Sequence, residues 1–290
     1  MVPRELDGER LDRAIAAVFP GVSRGEARRL LAAGRVRLGR ETCRVAGRLA
    51  HAGTAIALLV QEVVWTAAVP RVVHETADFA VLDKPAGVAV QAGREAELPH
   101  LLRWWKTREP RGTPFVVHRL DVPASGLVVL ARNRRAAAEL SDAFARHAVE
   151  RAYRARTSRA LPIAEHVALT LELPLARRDG NMVADPRGEF ARSRIRIVAR
   201  DPHGDELEVE LDTGRHHQIR AHLAALGSPI AGDTRYGSPA AARMHLHASR
   251  LAFSLGGERF AFASEAPWDV GGGGALSRQR ATRAGSAASS

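Results

Sequence analysis

The sequence predicts an α+β protein, with a small N-terminal α/β module followed by a larger body built on a mixed, largely antiparallel sheet with flanking helices. Three observations carry this. Residues 9–31 repeat apolar side chains at helical spacing, and strand-like and helical runs mix from about residue 71 onward without a strict strand-helix-strand repeat. The 290 residues, 46% of them hydrophobic, also suffice to bury a substantial core and divide into one large and one small domain.

The module comes first. Leu11, Ile15 and Val18 mark one short helix, and Ser23-Arg24-Gly25-Glu26 forms a capping box that opens a second, whose buried stripe is Ala27, Leu30 and Leu31. Behind that stripe lie Arg24, Arg28, Arg29, Arg35 and Arg37. A strand pair is expected through Val36-Arg37-Leu38 and Ala55-Ile56-Ala57-Leu58. Residues 1–60 carry eleven arginines against six carboxylates, a net charge of +5. This suits a module that grips a phosphate backbone, although a solvated basic helix looks similar.

After an expected linker at residues 61–71, Phe79-Ala80-Val81-Leu82, Leu127-Val128-Val129-Leu130, residues 192–198 and residues 206–211 read as strands. Asn133 caps a helix running to about residue 147, and a further helix over residues 217–226 is closed by Gly227. From residue 271 the composition collapses to Gly, Ser, Ala and Arg, so a disordered tail is expected. The expected boundaries are thus 1–62, 71–268 and 269–290.

The net charge of +11 favours a polyanionic partner. A single cysteine, Cys43, excludes an internal disulfide and any Cys-x-x-Cys motif. There is no run of 18 apolar residues, and the first residues lack the regions of a signal peptide, so no membrane association and a cytoplasmic location are expected. Of 43 basic residues only Lys84 and Lys106 are lysines. Lys84 is therefore a candidate for a position that needs a compact ammonium rather than a planar guanidinium.

The stretch His118-Arg119-Leu120-Asp121-Val122-Pro123-Ala124-Ser125-Gly126, followed by an apolar strand, holds a carboxylate on a tight loop beside a buried strand. Such placement fits a reactive group on a rigid scaffold. Taken alone, Asp121 reads first as a turn residue bonding its own backbone.

Three further segments stand in fixed order around it: Val81-Leu82-Asp83-Lys84-Pro85-Ala86-Gly87, then Thr213-Gly214-Arg215-His216-His217-Gln218-Ile219-Arg220, then Gly232-Asp233-Thr234-Arg235-Tyr236-Gly237. With Met244-His245-Leu246-His247-Ala248 as a closing strand, residues 71–268 resemble the RluA-type pseudouridine synthase family in content, order and spacing. Residues 9–60 resemble the alpha-L RNA-binding motif, departing at Leu38-Gly39, where that motif usually carries Asn-Gly. Ala124 and His216 also stand where the synthase family usually has threonine, which puts rate in question more than reaction type.

The resemblance implies that Asp121 is the catalytic carboxylate of an isomerase that breaks the N1–C1′ bond of a uridine and rejoins C1′ to C5 without a cofactor. It implies that Arg220 keeps Asp121 ionised, that Tyr153 stacks against the base and can take a proton at C5, and that Arg119 directs base flipping. A carboxylate in a closed site needs such a cation, because burial alone would protonate it. Arg220 is expected in the first turn of its helix, where the helix dipole acts in the same direction. His118, His217, Gln218 and Lys84 are further candidates for substrate or RNA contact, as are Arg24, Arg28, Arg29 and Arg35 of the module.

The expected partner is structured RNA, ribosomal or transfer, met by a monomer. No metal is expected, since the histidines show neither a His-x-x-x-His pair among residues 216–247 nor a His-Glu-x-x-His motif. A non-catalytic RNA-binding or assembly factor and a nucleoside hydrolase are the competing readings. The hydrolase would need a second acid to activate water, for which Asp83 and Asp233 stay open.

Overall fold

The computed structural model describes residues 1–19, 22–59, 69–92, 100–109, 112–164 and 167–268. The chain divides into two compact units, Met1–Thr66 with Ala92–Leu98, and Ala67–Gln91 with Pro99–Ser290. Most of the expected linker, and the expected tail, lie outside the described residues. Among the described residues no helix is long and apolar enough to cross a membrane.

In the first unit a 3-10 turn, Arg4–Leu6, precedes helices α1 (Leu11–Val18) and α2 (Arg24–Ala32). The Ser23 side chain accepts a hydrogen bond from the Glu26 N–H, the N-terminal half of the capping box. Leu11, Ala14, Ile15, Ala27, Leu31 and Val36 are fully buried, and Cys43 joins them as a small apolar side chain. The sheet has three strands rather than two: β2 (Glu41–Cys43) pairs with β1 (Val36–Leu38), whose other edge takes β3 (Ile56–Leu58). Sequence missed β2 because three residues are too few to display an alternation. Leu38 pairs with Glu41 around Gly39 at φ +62°, the sign required at the first central position of a type II′ turn, so glycine there offsets the missing asparagine.

The second unit is built on one ten-stranded sheet. Its strands and helices run β4 (Arg71–Glu75), β5 (Phe79–Lys84), α3 (Leu101–Arg108), β6 (Phe115–Val116), β7 (Ser125–Ala131) and α4 (Arg134–Ala145). They continue with β8 (Glu150–Arg156), β9 (Ala168–Glu172), β10 (Leu175–Arg178), β11 (Asn181–Ala184), β12 (Arg192–Asp201), β13 (Gly204–Leu211), α5 (Gln218–Ala225), β14 (Leu246–Leu255) and β15 (Glu258–Ala263). The order across the sheet is β4-β5-β7-β14-β8-β13-β12-β9, with β15 on β14 and β6 on β7, while β10 and β11 form a separate hairpin. All pairings are antiparallel except β7 with β14, as a mixed, largely antiparallel sheet requires.

Helix α4 covers this sheet. Asn133 caps it by accepting from the Ala136 N–H, and Ala136, Leu140 and Ala143 bury against Phe79, Val81, Leu127, Val129, Leu251 and Phe253. Each large apolar side chain buried there contributes about 1.5–3 kcal/mol.

One row of the sheet positions the chemistry. Lys84 of β5 pairs with Gly126 of β7, Gly126 with Ala248 of β14, Ala248 with Tyr153 of β8, and Tyr153 with Val209 of β13. Gly126 is obligatory: its φ is +110°, and a Cβ would lie 2.4 Å from the Ala248 carbonyl oxygen. The Asp121 loop therefore enters the sheet at Ser125, one residue before this close backbone approach.

Candidate active site

Asp121 sits on a turn closed by the Ala124 N–H donating to its carbonyl oxygen at 3.1 Å. Its side chain, 20% exposed, takes its hydrogen bond from Arg220 rather than from the turn. Arg220 Nη1 lies 3.0 Å from Asp121 Oδ2, which meets the demand that a cation 99 positions away in sequence face this carboxylate.

Arg220 is shared. Its Nε and Nη2 donate to the two oxygens of Asp233 at 2.7 and 2.8 Å, and its guanidinium lies 4.9 Å from the centre of the Tyr236 ring. Burial opposes its charge, but Asp233 and Asp121 outweigh burial and raise its pKa. One guanidinium thus serves two carboxylates, with two of its N–H groups on Asp233 and one on Asp121. Arg220 occupies the first turn of α5, where the helix dipole also favours an anion.

The loop beneath Asp121 is held by Lys84. Its ammonium is fully buried and donates to the carbonyl oxygens of Pro85 (3.0 Å), Val88 (2.7 Å), Val122 (3.3 Å) and Ala124 (2.5 Å). Burial pushes its pKa down to about 7, against the pull of Asp121 and Asp83. A compact ammonium is what this position needs, but Lys84 does not reach substrate: it ties the Pro-Ala-Gly turn to the loop of Asp121. Lys84→Met should lower unfolding stability by about 3–5 kcal/mol, since it strands several buried carbonyls. Urea unfolding checks this, and RNA affinity of the folded fraction should be unchanged.

Two other expected RNA contacts are also internal. His118 Nε2 accepts from the Val129 N–H at 3.0 Å while its ring stacks on Phe144, and burial, aided by Arg151, pushes its pKa down to about 3. It is a neutral brace on β7. Gln218, 3% exposed, donates to the Arg192 carbonyl and Ser193 Oγ and accepts from Thr213 Oγ1 and the Arg215 N–H, so its amide has no group left for RNA.

His217 lies in the site rather than on a phosphate surface. It precedes α5 in the left-handed conformation (φ 52°), its Nε2 is 3.7 Å from Asp121 Oδ2, and its Nδ1 is 2.9 Å from the Tyr236 hydroxyl. Burial is the main cause of a pKa lowered to about 4. Tyr153 is 8% exposed on β8, and burial, with the Asp121 charge in the same direction, holds its pKa above the ordinary tyrosine value. Its hydroxyl therefore keeps its proton at rest. Arg119 is exposed, beside the loop of Asp121.

Asp121, His216 and His217 bring one ligand atom each within 4.8 Å of one another, a grouping that spacing along the chain did not suggest. A metal ion there would meet the Arg220 guanidinium on the same carboxylate oxygen, and His217 Nδ1 already faces Tyr236. The donor set does not fit a metal. Asp233 and Asp83 are each paired too, Asp233 with Arg220 and Asp83 with Arg71 (3.0 Å) and Ser264 Oγ (2.8 Å), so neither is free to activate water. A groove of about 540 Å³ lined by Arg151, Arg194, Asp212, Arg250 and Arg259 includes none of these site residues.

In the first unit, Arg24 and Arg28 converge with Arg10 on the buried carboxylate of Asp12 at 3.4, 2.6 and 3.2 Å. Burial opposes ionisation of Asp12, but the three arginines hold its pKa down at about 2. Arg24 and Arg28 remain half exposed, Arg29 is exposed on the same helix, and Arg35 is half-buried just before β1. Asp12 gave no sequence signal beyond being an acid in a basic segment.

A sequence model of the RNA pseudouridylate synthase family matches residues 78–225, and one of the S4 domain matches residues 9–56. The chain belongs to the RNA pseudouridylate synthase family, isomerases that act on RNA. It is 32% identical over 225 residues to ribosomal large subunit pseudouridine synthase D of Zymomonas mobilis, covering 69% of this chain and 70% of that one. An RNA pseudouridine synthase of Chloroflexus aurantiacus is 36% identical over 86% of this chain and 81% of its own. The match to a Synechocystis relative, 37% identical, spans 58% of that protein's length. Among solved structures, human RNA pseudouridylate synthase domain containing 1 superposes with a TM-score of 0.59 at 26% identity, covering 68% of this chain and 84% of that one.

Proposed function

We propose that this protein isomerises uridine to pseudouridine in ribosomal RNA, with Asp121 as the nucleophile. The observation that carries the reading is the Asp121–Arg220–Asp233 cluster: a partly buried carboxylate facing a guanidinium that it shares with a second carboxylate. The reaction conserves atoms. The N1–C1′ bond breaks, C1′–C5 forms, the C5 proton leaves and N1 gains one, so no cofactor, metal or second acid is required. Asp121 holds the sugar while the base turns, and Tyr153 offers a flat surface against which the uracil rotates.

Exposed Arg119, adjacent to this loop, takes the place of the base as the uridine swings out, at a cost of about a few kcal/mol, least for a loop or bulge base. The arginines of the S4-type unit grip the phosphate backbone, which makes affinity fall with salt. Ribosomal RNA is favoured over transfer RNA because relatives named for the large ribosomal subunit match most of the chain. The protein acts as a cytoplasmic monomer. Incubation with transcribed ribosomal and transfer RNA, followed by chemical mapping of pseudouridine, should give product in ribosomal RNA. Free uracil would mean hydrolysis, and bound but unmodified RNA would mean a binding factor.

A further inference from the structure

The Tyr236 hydroxyl joins the active site to the β10–β11 hairpin. It accepts a hydrogen bond from the Met182 N–H of β11 at 3.1 Å and lies 2.9 Å from His217 Nδ1. Arg235 fixes the geometry by donating from Nε to Asn181 Oδ1 at 2.6 Å and from Nη2 to the Gly180 carbonyl at 2.7 Å, at the tip of the same hairpin. With its oxygen receiving the Met182 N–H, the phenol directs its own proton to His217 Nδ1. A neutral imidazole that accepts at Nδ1 carries its proton on Nε2. That nitrogen faces Asp121 Oδ2 at 3.7 Å, a gap that closes with a small shift of the carboxylate toward its reacting position. The opposite tautomer would set a lone pair against the carboxylate, so both ends of the chain select the same form.

We propose that Tyr236 is a positioning residue for the isomerisation: its hydroxyl fixes His217 as the Nε2–H tautomer, giving Asp121 a neutral donor beside the Arg220 guanidinium, while its ring seats that guanidinium. The proposal rests on Asp121 being the nucleophile. A neutral donor steadies the carboxylate without adding a second full charge, which would hold it too tightly to attack. The groups facing His217 agree with this. Arg220 on α5, the neighbouring His216, stacked at 3.8 Å, and Arg235 beside Tyr236 disfavour an imidazolium, and Asp121 alone favours it. Burial adds to the first group, so His217 stays neutral down to about pH 4.

Tyr236→Phe keeps the ring beneath Arg220 and removes only the hydroxyl. Turnover number should fall about 10- to 100-fold, the range for losing a group that orients another's imidazole, with RNA affinity unchanged. The acid limb of the turnover number should also move upward, because the hydroxyl no longer occupies Nδ1, while burial and the nearby Arg220, His216 and Arg235 still hold His217 below the ordinary histidine value. His217→Asn removes the Nε2 donor and suits the left-handed backbone at that position. Combined with Tyr236→Phe it should be no slower than alone, since the tyrosine acts through the histidine. Additive losses, or a loss equal at every pH and matched by a lower melting temperature, would show a structural role only. Wild-type turnover at every pH in Tyr236→Phe also overturns the inference. If Asp121→Asn is inactive and Tyr236→Phe is not, this inference alone fails; if Asp121→Asn turns over, the reading of the site fails with it.

Discussion

Asp121→Asn should yield a folded protein that binds RNA with unchanged affinity and forms no pseudouridine. Asparagine is nearly isosteric and still accepts the Arg220 Nη1–H through its amide oxygen, so the loop, already anchored by Lys84, keeps its shape. What disappears is the negative charge needed for attack. Loss of a nucleophile acting with its partners lowers turnover by roughly 10⁴- to 10⁶-fold, well below detection in a single-turnover assay. Stability should shift by no more than about 1 kcal/mol, because Asp121 is partly exposed and Arg220 retains both bonds to Asp233. Product at even a hundredth of the wild-type rate would exclude Asp121 as the nucleophile.

Arg220→Met should damage both activity and folding, and for different reasons. Asp233 is 2% exposed and receives both of its hydrogen bonds from the Arg220 guanidinium. Removing the guanidinium leaves a buried carboxylate unpaired, at a cost of about 3–5 kcal/mol, readable as a lower urea midpoint. Asp121 loses its counter-charge in the same step, and turnover should fall by about 10²- to 10³-fold or more. Asp233→Asn together with Arg220→Met separates the two effects. It removes the orphaned charge, so stability should return toward wild type while activity stays low. If activity returned as well, Arg220 would be a purely structural residue.

The parts of the site that the sequence made legible are those written locally or in fixed order. The Ser23 cap, the Asn133 cap and the Gly227 stop each depend on a few adjacent residues, and each forms as read, although of the Ser23 capping box only the bond from the Glu26 N–H is seen. Arg220 was placed correctly because its position in the first turn of α5 follows from where that helix starts. The parts that stayed hidden depend on partners far apart in sequence. Lys84 was singled out as a compact ammonium, yet its partners are carbonyl oxygens, which carry no residue identity to be read. Gln218 and His118 stand in motifs beside reacting groups but turn inward, and motif membership does not reveal which way a side chain faces. Asp233 invited a reading as a second acid because its bidentate pairing with Arg220 is a property of the closed fold. Short strands such as β2, β10 and β11 have too few residues to show a period.

The row of paired residues from Lys84 to Val209 passes through β14, which is next to last among the strands in the chain and lies between β7 and β8. The earlier strands cannot close on each other until it arrives. During synthesis, therefore, Asp121 and Tyr153 emerge from the ribosome long before residues 246–255 that bring their strands into one sheet. Until then the chain holds a carboxylate, an arginine and a tyrosine that have no common geometry. The geometry of the site thus depends on a strand that is made after every residue of the site itself.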